Sequence, residues 1–121
     1  MENKKTLVLG ATTNPERYAY KAVHRLLESG HTVVPVGIKK GKVGGVEIVN
    51  NKNIFKDIHT ITLYIGTKIQ KEYYEYIINT RPKRVIFNPG TENEELYQLL
   101  DKNGIEKEVA CTLVLLSIDN Y

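Results

Sequence analysis

The stretch Thr6-Leu7-Val8-Leu9-Gly10-Ala11-Thr12-Thr13-Asn14-Pro15 joins an apolar run to a glycine and a polar turn. Its first four residues, Thr6–Leu9, predict a short strand that is buried on both faces. Asn14 and Pro15 predict the N-cap and first position of a helix, which is expected to end at Gly30. The apolar residues that follow have helical spacing: Ala19, Ala22, Val23, Leu26 and Leu27. The chain therefore opens with a predicted strand, turn and helix.

The same alternation continues to the end of the chain. The predicted strands are Thr6–Leu9, Thr32–Val36, Ile61–Ile65, Arg84–Phe87 and Glu108–Ala110. Helical patterns between them imply right-handed crossovers and a parallel sheet. We predict an α/β fold, a three-layer Rossmann-like domain with a five-stranded parallel sheet of order 3-2-1-4-5, formed by residues 1–121 as one domain. Residues 37–58 lack a clear helix, and only a short edge strand near Val46–Val49 and one turn of helix near Ile54–Ile58 are expected there.

Composition narrows the classes of function. The 121 residues include 17 basic and 14 acidic side chains, a net charge of +3, with no basic stripe of the kind that binds nucleic acid. No apolar run is long enough for a membrane span or a signal peptide, so a cytoplasmic protein is expected. The single cysteine, Cys111, and the spacing of the three histidines predict no disulfide and no metal site. Tyr74 and the apolar C-terminal helix are compatible with the formation of a homo-oligomer.

Three predicted turns lie at the carboxyl edge of the sheet, where open α/β folds bind ligands. They contain Gly10, Gly66 and Gly90. Capping-box patterns that begin at Thr67 and Thr91 follow the second and third glycines. Helix N-termini at this edge present free N–H groups to an anion. Such turns are common in any fold of this class, so only their combination indicates a binding site.

The loops after the first two strands favour a phosphate-bearing nucleotide. Only the first glycine of the dinucleotide-binding fingerprint Gly-x-Gly-x-x-Gly is present, at Gly10. The Thr12 and Thr13 hydroxyls and Arg17 are nevertheless suited to binding a phosphate. The second strand is followed by Val36-Gly37-Ile38-Lys39-Lys40-Gly41-Lys42 rather than by the acidic residue that binds the ribose of NAD. The lysines favour an extra phosphate, either the 3′-phosphate of coenzyme A or the 2′-phosphate of NADP. A solvated lysine loop is the alternative.

No catalytic constellation is apparent in the sequence. There is no nucleophile elbow with a Ser, His and Asp set, and no Gly-Lys-Ser/Thr phosphate loop follows a strand. The acidic residues fall mainly on predicted helix surfaces. We therefore expect a binding protein that catalyses nothing by itself.

In this order and spacing, several short motifs resemble a known family. They are Val8-Leu9-Gly10-Ala11-Thr12, Asn14-Pro15-Glu16-Arg17-Tyr18, His31-Thr32-Val33-Val34-Pro35-Val36, Phe87-Asn88-Pro89-Gly90, Asn93-Glu94-Glu95, Gly104-Ile105-Glu106 and Ala110-Cys111-Thr112-Leu113-Val114. The chain resembles the small stand-alone CoA-binding domain proteins, relatives of the CoA-binding N-terminal domain of the succinyl-CoA synthetase α-subunit. The resemblance covers nearly the whole chain. It implies no ligase activity, because the phosphohistidine of that enzyme lies in a domain that this chain lacks.

The resemblance also implies which residues bind. The CoA phosphates are assigned to Gly10, Ala11, Thr12 and Arg17, with Tyr18 beside them. The Thr13 hydroxyl, which is also suited to phosphate, completes this set. The adenosine end is assigned to Val36, Lys39 and Lys40, and the pantetheine arm to Tyr64, Ile65, Pro89 and Gly90. The family usually has Asn-Pro where Gly37 and Ile38 stand, and serine at Thr12.

Cys111 is expected at the same edge, where a mixed disulfide with the CoA thiol is one hypothesis and a small buried apolar side chain is the alternative. The function predicted first is the binding of coenzyme A or an acyl-CoA. The alternatives are an NADP-dependent oxidoreductase, another nucleotide-binding protein, or a partner-binding protein that has lost its ligand.

Overall fold

A computed structural model describes residues 2–121, and across that range five parallel strands form one sheet. The strands of the chain are β1 (Thr6–Leu9), β2 (Val33–Val36), β3 (Lys42–Val43), β4 (Val46–Glu47), β5 (Thr60–Leu63), β6 (Arg84–Phe87) and β7 (Glu106–Val109). The helices are α1 (Tyr18–Glu28), α2 (Thr67–Gln70), α3 (Tyr74–Thr80), α4 (Glu94–Lys102) and α5 (Thr112–Ser117). A 3-10 turn, Lys71–Tyr73, joins α2 to α3. Within these residues no helix is both long enough and apolar enough to cross a membrane.

The strand order is β2-β1-β5-β6-β7, and every neighbouring pair is parallel. The segment that ends at Val49 lies beside β2 and can be counted as a third strand. With that count, the strands from this segment to β6 follow the 3-2-1-4-5 pattern, and β7 extends the sheet at the opposite edge. Val49 joins Val36 by an isolated parallel bridge beyond β2. The predicted Rossmann-like α/β fold with a five-stranded parallel sheet is confirmed, and its order agrees with the predicted pattern under this count of the strands.

Side chains of the central strands alternate between two apolar layers, which is why the strands read as continuous apolar runs. Leu7 and Leu9 point into a cluster with residues of α3 and α4, while Val8 points into a cluster with α1 and α5. On the first face the helices contribute Tyr76, Ile77, Leu96 and Leu100, and on the second Ala19, Val23, Leu26, Leu115 and Leu116. The three-layer arrangement follows from this alternation.

The start of α1 differs from the sequence prediction. The helix begins at Tyr18, and its N-cap is Arg17 rather than Asn14. The Asn14 side chain accepts a hydrogen bond from the N–H of Glu16 at 3.0 Å, so it closes a local turn instead. This turn adds three residues between β1 and α1.

Both predicted capping boxes are also wrong. The N-cap of α2 is Gly66, with no side-chain cap, and Thr67 is already helical. The N-cap of α4 is Asn93, whose side chain accepts from the N–H of Leu96 at 3.3 Å. The Thr91 hydroxyl donates to the carbonyl of Asn88 at 2.8 Å, which removes it from any capping role.

The long interval after β2 contains a two-stranded antiparallel hairpin, β3 with β4. Val43 of this hairpin is buried in the cluster beneath α1, which holds the hairpin against the domain. The expected helical turn near residues 54–58 is absent, and a turn at Lys56 and Asp57 takes its place.

Candidate functional site

A crevice of about 700 Å³ opens at the carboxyl edge of the sheet, bordered by the loops that follow β1, β2, β5 and β6. Eleven of the residues predicted to bind a ligand border it: Gly10, Ala11, Thr12, Thr13, Arg17, Tyr18, Lys39, Tyr64, Ile65, Pro89 and Gly90. Binding of one nucleotide by Thr12, Arg17 and Lys39 requires that these three residues share one crevice. They do, so the loops assigned to phosphates, adenosine and pantetheine meet in one place.

Three of the predicted residues do not border this crevice. Val36 is buried, and its carbonyl oxygen accepts hydrogen bonds from the N–H groups of Gly10 and Ala11 at 2.8 and 2.9 Å. Its backbone therefore holds the start of the first loop in place. Lys40 is exposed beyond Lys39 on the same loop. Cys111 is a half-buried free cysteine that follows β7, the edge strand furthest from β2, and this places it outside the crevice.

The loop after β2 lies directly against the loop after β1. A Cβ atom at Gly37 would overlap the carbonyl oxygen of Ala11, and one at Gly41 would lie 2.5 Å from Cγ2 of Thr13. Gly37 also donates its N–H to the Val49 carbonyl at 3.0 Å. Glycine at position 37 therefore permits a close approach that holds the lysine loop beside the first loop.

The first loop and α1 leave several donors free for an anion. Within residues 2–121, the backbone N–H groups of Thr12 and Thr13 donate no hydrogen bond. The N-cap Arg17 makes no side-chain cap, and the first turn of α1 contains no acidic residue. The charged side chains that border the crevice are Glu16, Arg17 and Lys39, a net charge of +1. Consecutive N–H groups, a helix N-terminus and two cations together suit a phosphate.

Three large, exposed apolar side chains border the same crevice, and two of them, Ile38 and Ile69, are not among the predicted site residues. Ile38 is 80% exposed, Tyr18 67% and Ile69 45%. Exposed apolar side chains that are grouped around one crevice are typical of a surface that a ligand covers. The helical spacing of Ile69 with Tyr73 predicts that both lie on a buried helix face, but the structure exposes Ile69 at the crevice.

Tyr64 has a strongly perturbed phenol. Burial raises the pKa of its hydroxyl to about 12, so this group stays protonated at neutral pH. Across the described residues, no three His, Cys, Asp or Glu side chains are grouped closely enough to hold a metal ion.

Comparison with known families agrees with the site. The family model described as CoA binding domain matches residues 4–117. The chain belongs to the CoA-binding domain family. A match over nearly the whole length means that the loops around the crevice are part of the CoA-binding domain itself.

Solved structures agree on the architecture of this CoA-binding domain. The chain is 51% identical to an uncharacterized protein of known crystal structure, with both chains covered in full and a TM-score of 0.97. A hypothetical protein from Pyrococcus horikoshii OT3 is 32% identical, with 93% of this chain and 81% of that chain covered and a TM-score of 0.84. A protein from Thermus thermophilus, 22% identical over 98% of this chain and 91% of its own with a TM-score of 0.85, shows the fold alone. None of the curated proteins matches the chain.

Proposed function

We propose that this protein binds coenzyme A or an acyl-CoA in the crevice at the carboxyl edge of the sheet and performs no chemical step on it. The observation that carries the proposal is the meeting of the first loop, Arg17 and Lys39 around one crevice in a chain of the CoA-binding domain family. The nucleotide phosphates, the ribose phosphate and the arm then each have a distinct set of neighbours.

The pyrophosphate is assigned to the first loop and the start of α1. The free N–H groups of Thr12 and Thr13 and the uncapped helix N-terminus offer neutral donors, and Arg17 offers a charged one. Hydrogen bonds to an ionised phosphate are roughly twice as strong as those between neutral groups. This arrangement supports binding of a diphosphate without a fingerprint of three glycines.

The 3′-phosphate is assigned to Lys39 alone. Lys39 borders the crevice, whereas Lys40 is exposed and does not border it. The adenine has Tyr18 and Ile38 as exposed apolar neighbours beside this lysine. The pair of lysines that the sequence favoured is thus reduced to one ligand-facing cation.

The pantetheine arm is assigned to the part of the crevice between the loops after β5 and β6. Ile65 and Ile69 on one side and Pro89 on the other give it a partly apolar lining. An acyl group would extend in the same direction.

The absence of a chemical step in the proposal rests on which side chains border the crevice. Among residues 2–121, no serine, cysteine or histidine does so. Serine, cysteine and histidine are frequent nucleophiles and general bases, and the one carboxylate at the crevice, Glu16, is exposed to solvent with no histidine beside it at the crevice. Tyr64, with its raised pKa, is a poor proton acceptor at neutral pH because its phenol is already protonated.

Calorimetric titration with CoA, NADPH and ATP tests the proposal. We expect CoA to bind at least about tenfold more tightly than either of the others, a difference of about 1.4 kcal/mol. Tighter binding of NADPH would favour the oxidoreductase alternative, which uses the same lysine for a 2′-phosphate. No detectable binding of any of the three ligands would contradict nucleotide binding altogether.

A further inference from the structure

Gln70 is a fully buried polar side chain that links two loops of the crevice. It is the last residue of α2, and its side-chain Nε2 donates to the carbonyl of Ile65 and to the carbonyl of Thr91, both at 2.8 Å. Ile65 lies in the loop after β5, and Thr91 lies in the loop after β6. One amide group therefore ties together the two sides of the half of the crevice assigned to the pantetheine arm.

The orientation of this amide is fixed from its other end. Gln70 Oε1 accepts a hydrogen bond from Asn93 Nδ2 at 2.8 Å. Asn93 itself caps α4 and also donates to the Tyr74 hydroxyl at 2.8 Å. Because the oxygen of Gln70 faces a donor and its nitrogen faces two acceptors, the amide cannot rotate without losing all three bonds. A buried network paired in this way is rigid.

We propose that Gln70 is a positioning residue that sets the separation between the Ile65 and Thr91 loops and thereby determines affinity for the pantetheine arm. This inference rests on the proposed function. Gln70 does not border the crevice, so it acts through the two backbone carbonyls. Without its amide, both carbonyls lose a buried partner, and the loops move apart to reach water.

Two ligands separate this role from general stability. CoA carries the arm, whereas adenosine 3′,5′-bisphosphate carries the nucleotide end without it. For Gln70→Met, which preserves volume but removes all three bonds, we expect CoA affinity to fall about tenfold while bisphosphate affinity stays within about twofold. Gln70→Glu, protonated in this buried site, retains one donor and is expected to lose an intermediate amount.

The matched control is Ile77→Val, which removes one methylene from the buried core of α3 without touching either loop. It is expected to lower the stability of the fold and to leave both ligand affinities unchanged. The inference is overturned if Gln70→Met binds CoA as tightly as the parent protein, if both ligands are weakened equally, or if Ile77→Val reproduces the CoA-specific loss. Should Gln70→Met fail to fold, an unchanged CoA affinity in Gln70→Glu is decisive in the same way.

The same titrations distinguish failure of the Gln70 proposal from failure of the proposed function on which it rests. A parent protein that binds neither ligand contradicts the proposed function. A parent protein that binds both, with unchanged affinities in the Gln70 variants, contradicts the positioning role only.

Discussion

Helices α1 and α4 both begin at the carboxyl edge of the sheet, but their N-termini are completed in different ways. Asn93 caps α4, Glu94 and Glu95 occupy its first turn, and Glu92 accepts the N–H of Gly90 at 2.8 Å just before it. The N-terminus of α1 has no side-chain cap and no acidic residue in its first turn, and its N-cap is Arg17.

The difference indicates where an anion is expected. Around α4, the protein's own oxygens satisfy donors and offset the positive end of the helix dipole. Around α1, donors and positive charge are left for another molecule. The two loops share a crevice, and the difference in capping separates their roles: the start of α4 stabilises the fold, and the start of α1 is the proposed site for the phosphates.

The largest expected effect comes from reversing charge at α1. Arg17→Glu replaces a phosphate partner by a repelling carboxylate, and CoA affinity measured by calorimetry should fall about a hundredfold. Glu94→Lys makes the opposite change at the start of α4 and should leave affinity within about threefold. Equal losses in the two variants would show that α1 has no special role.

A comparably large effect is expected on the free energy of unfolding, and it should come from a substitution at the start of α4. Asn93→Ala removes the α4 cap and the partner of Gln70, so the free energy of unfolding in urea should drop by about 2 kcal/mol. Arg17→Ala removes no cap bond and should change it by less than about 0.5 kcal/mol. A larger loss in Arg17→Ala than in Asn93→Ala would reverse the roles given to the two ends.

Much of the fold could be predicted from the sequence, because apolar runs and helical spacing report burial directly. The capping predictions at Asn14, Thr67 and Thr91 failed. The side chains of Asn14 and Thr91 have competing local backbone partners, which a sequence pattern cannot rank, and α2 begins one residue earlier than predicted, with Gly66 as its N-cap. The contact of Gly37 with Ala11 and the bridging by Gln70 join residues that are distant in the chain. Such sites exist only once the loops have taken their folded conformations.

A smaller effect is expected from Lys39. Lys39→Ala should weaken CoA about tenfold while weakening dephospho-CoA by less than about twofold, because only CoA carries the 3′-phosphate. Lys40→Ala, its neighbour outside the crevice, serves as the matched control and should change neither affinity. If Lys40→Ala has the larger effect, the lysine assigned to the phosphate is the wrong one.

The smallest expected effect is a pH dependence of the free energy of unfolding, and it does not involve the N-terminus of α1 or of α4. Burial, followed by the nearby charges of Lys4 and Arg84, lowers the pKa of His31 from 6.5, and burial and Arg84 lower that of His59. The unfolded chain therefore takes up protons first as pH falls below about 6.5, and the fold loses stability until the folded-state pKa values are passed. Urea unfolding between about pH 7.5 and about pH 5.5 should show this loss equally in Arg17→Ala and in the parent protein. Stability that rises on acidification would contradict the lowered pKa values.

The most direct test of the central claim is an amide NMR titration of the protein with CoA. The account predicts that the largest shifts fall on the backbone N–H groups of Thr12 and Thr13 and on the first turn of α1, and that the first turn of α4 changes little. Shifts centred on Glu94 and Glu95, with Thr12 and Thr13 unmoved, would contradict it.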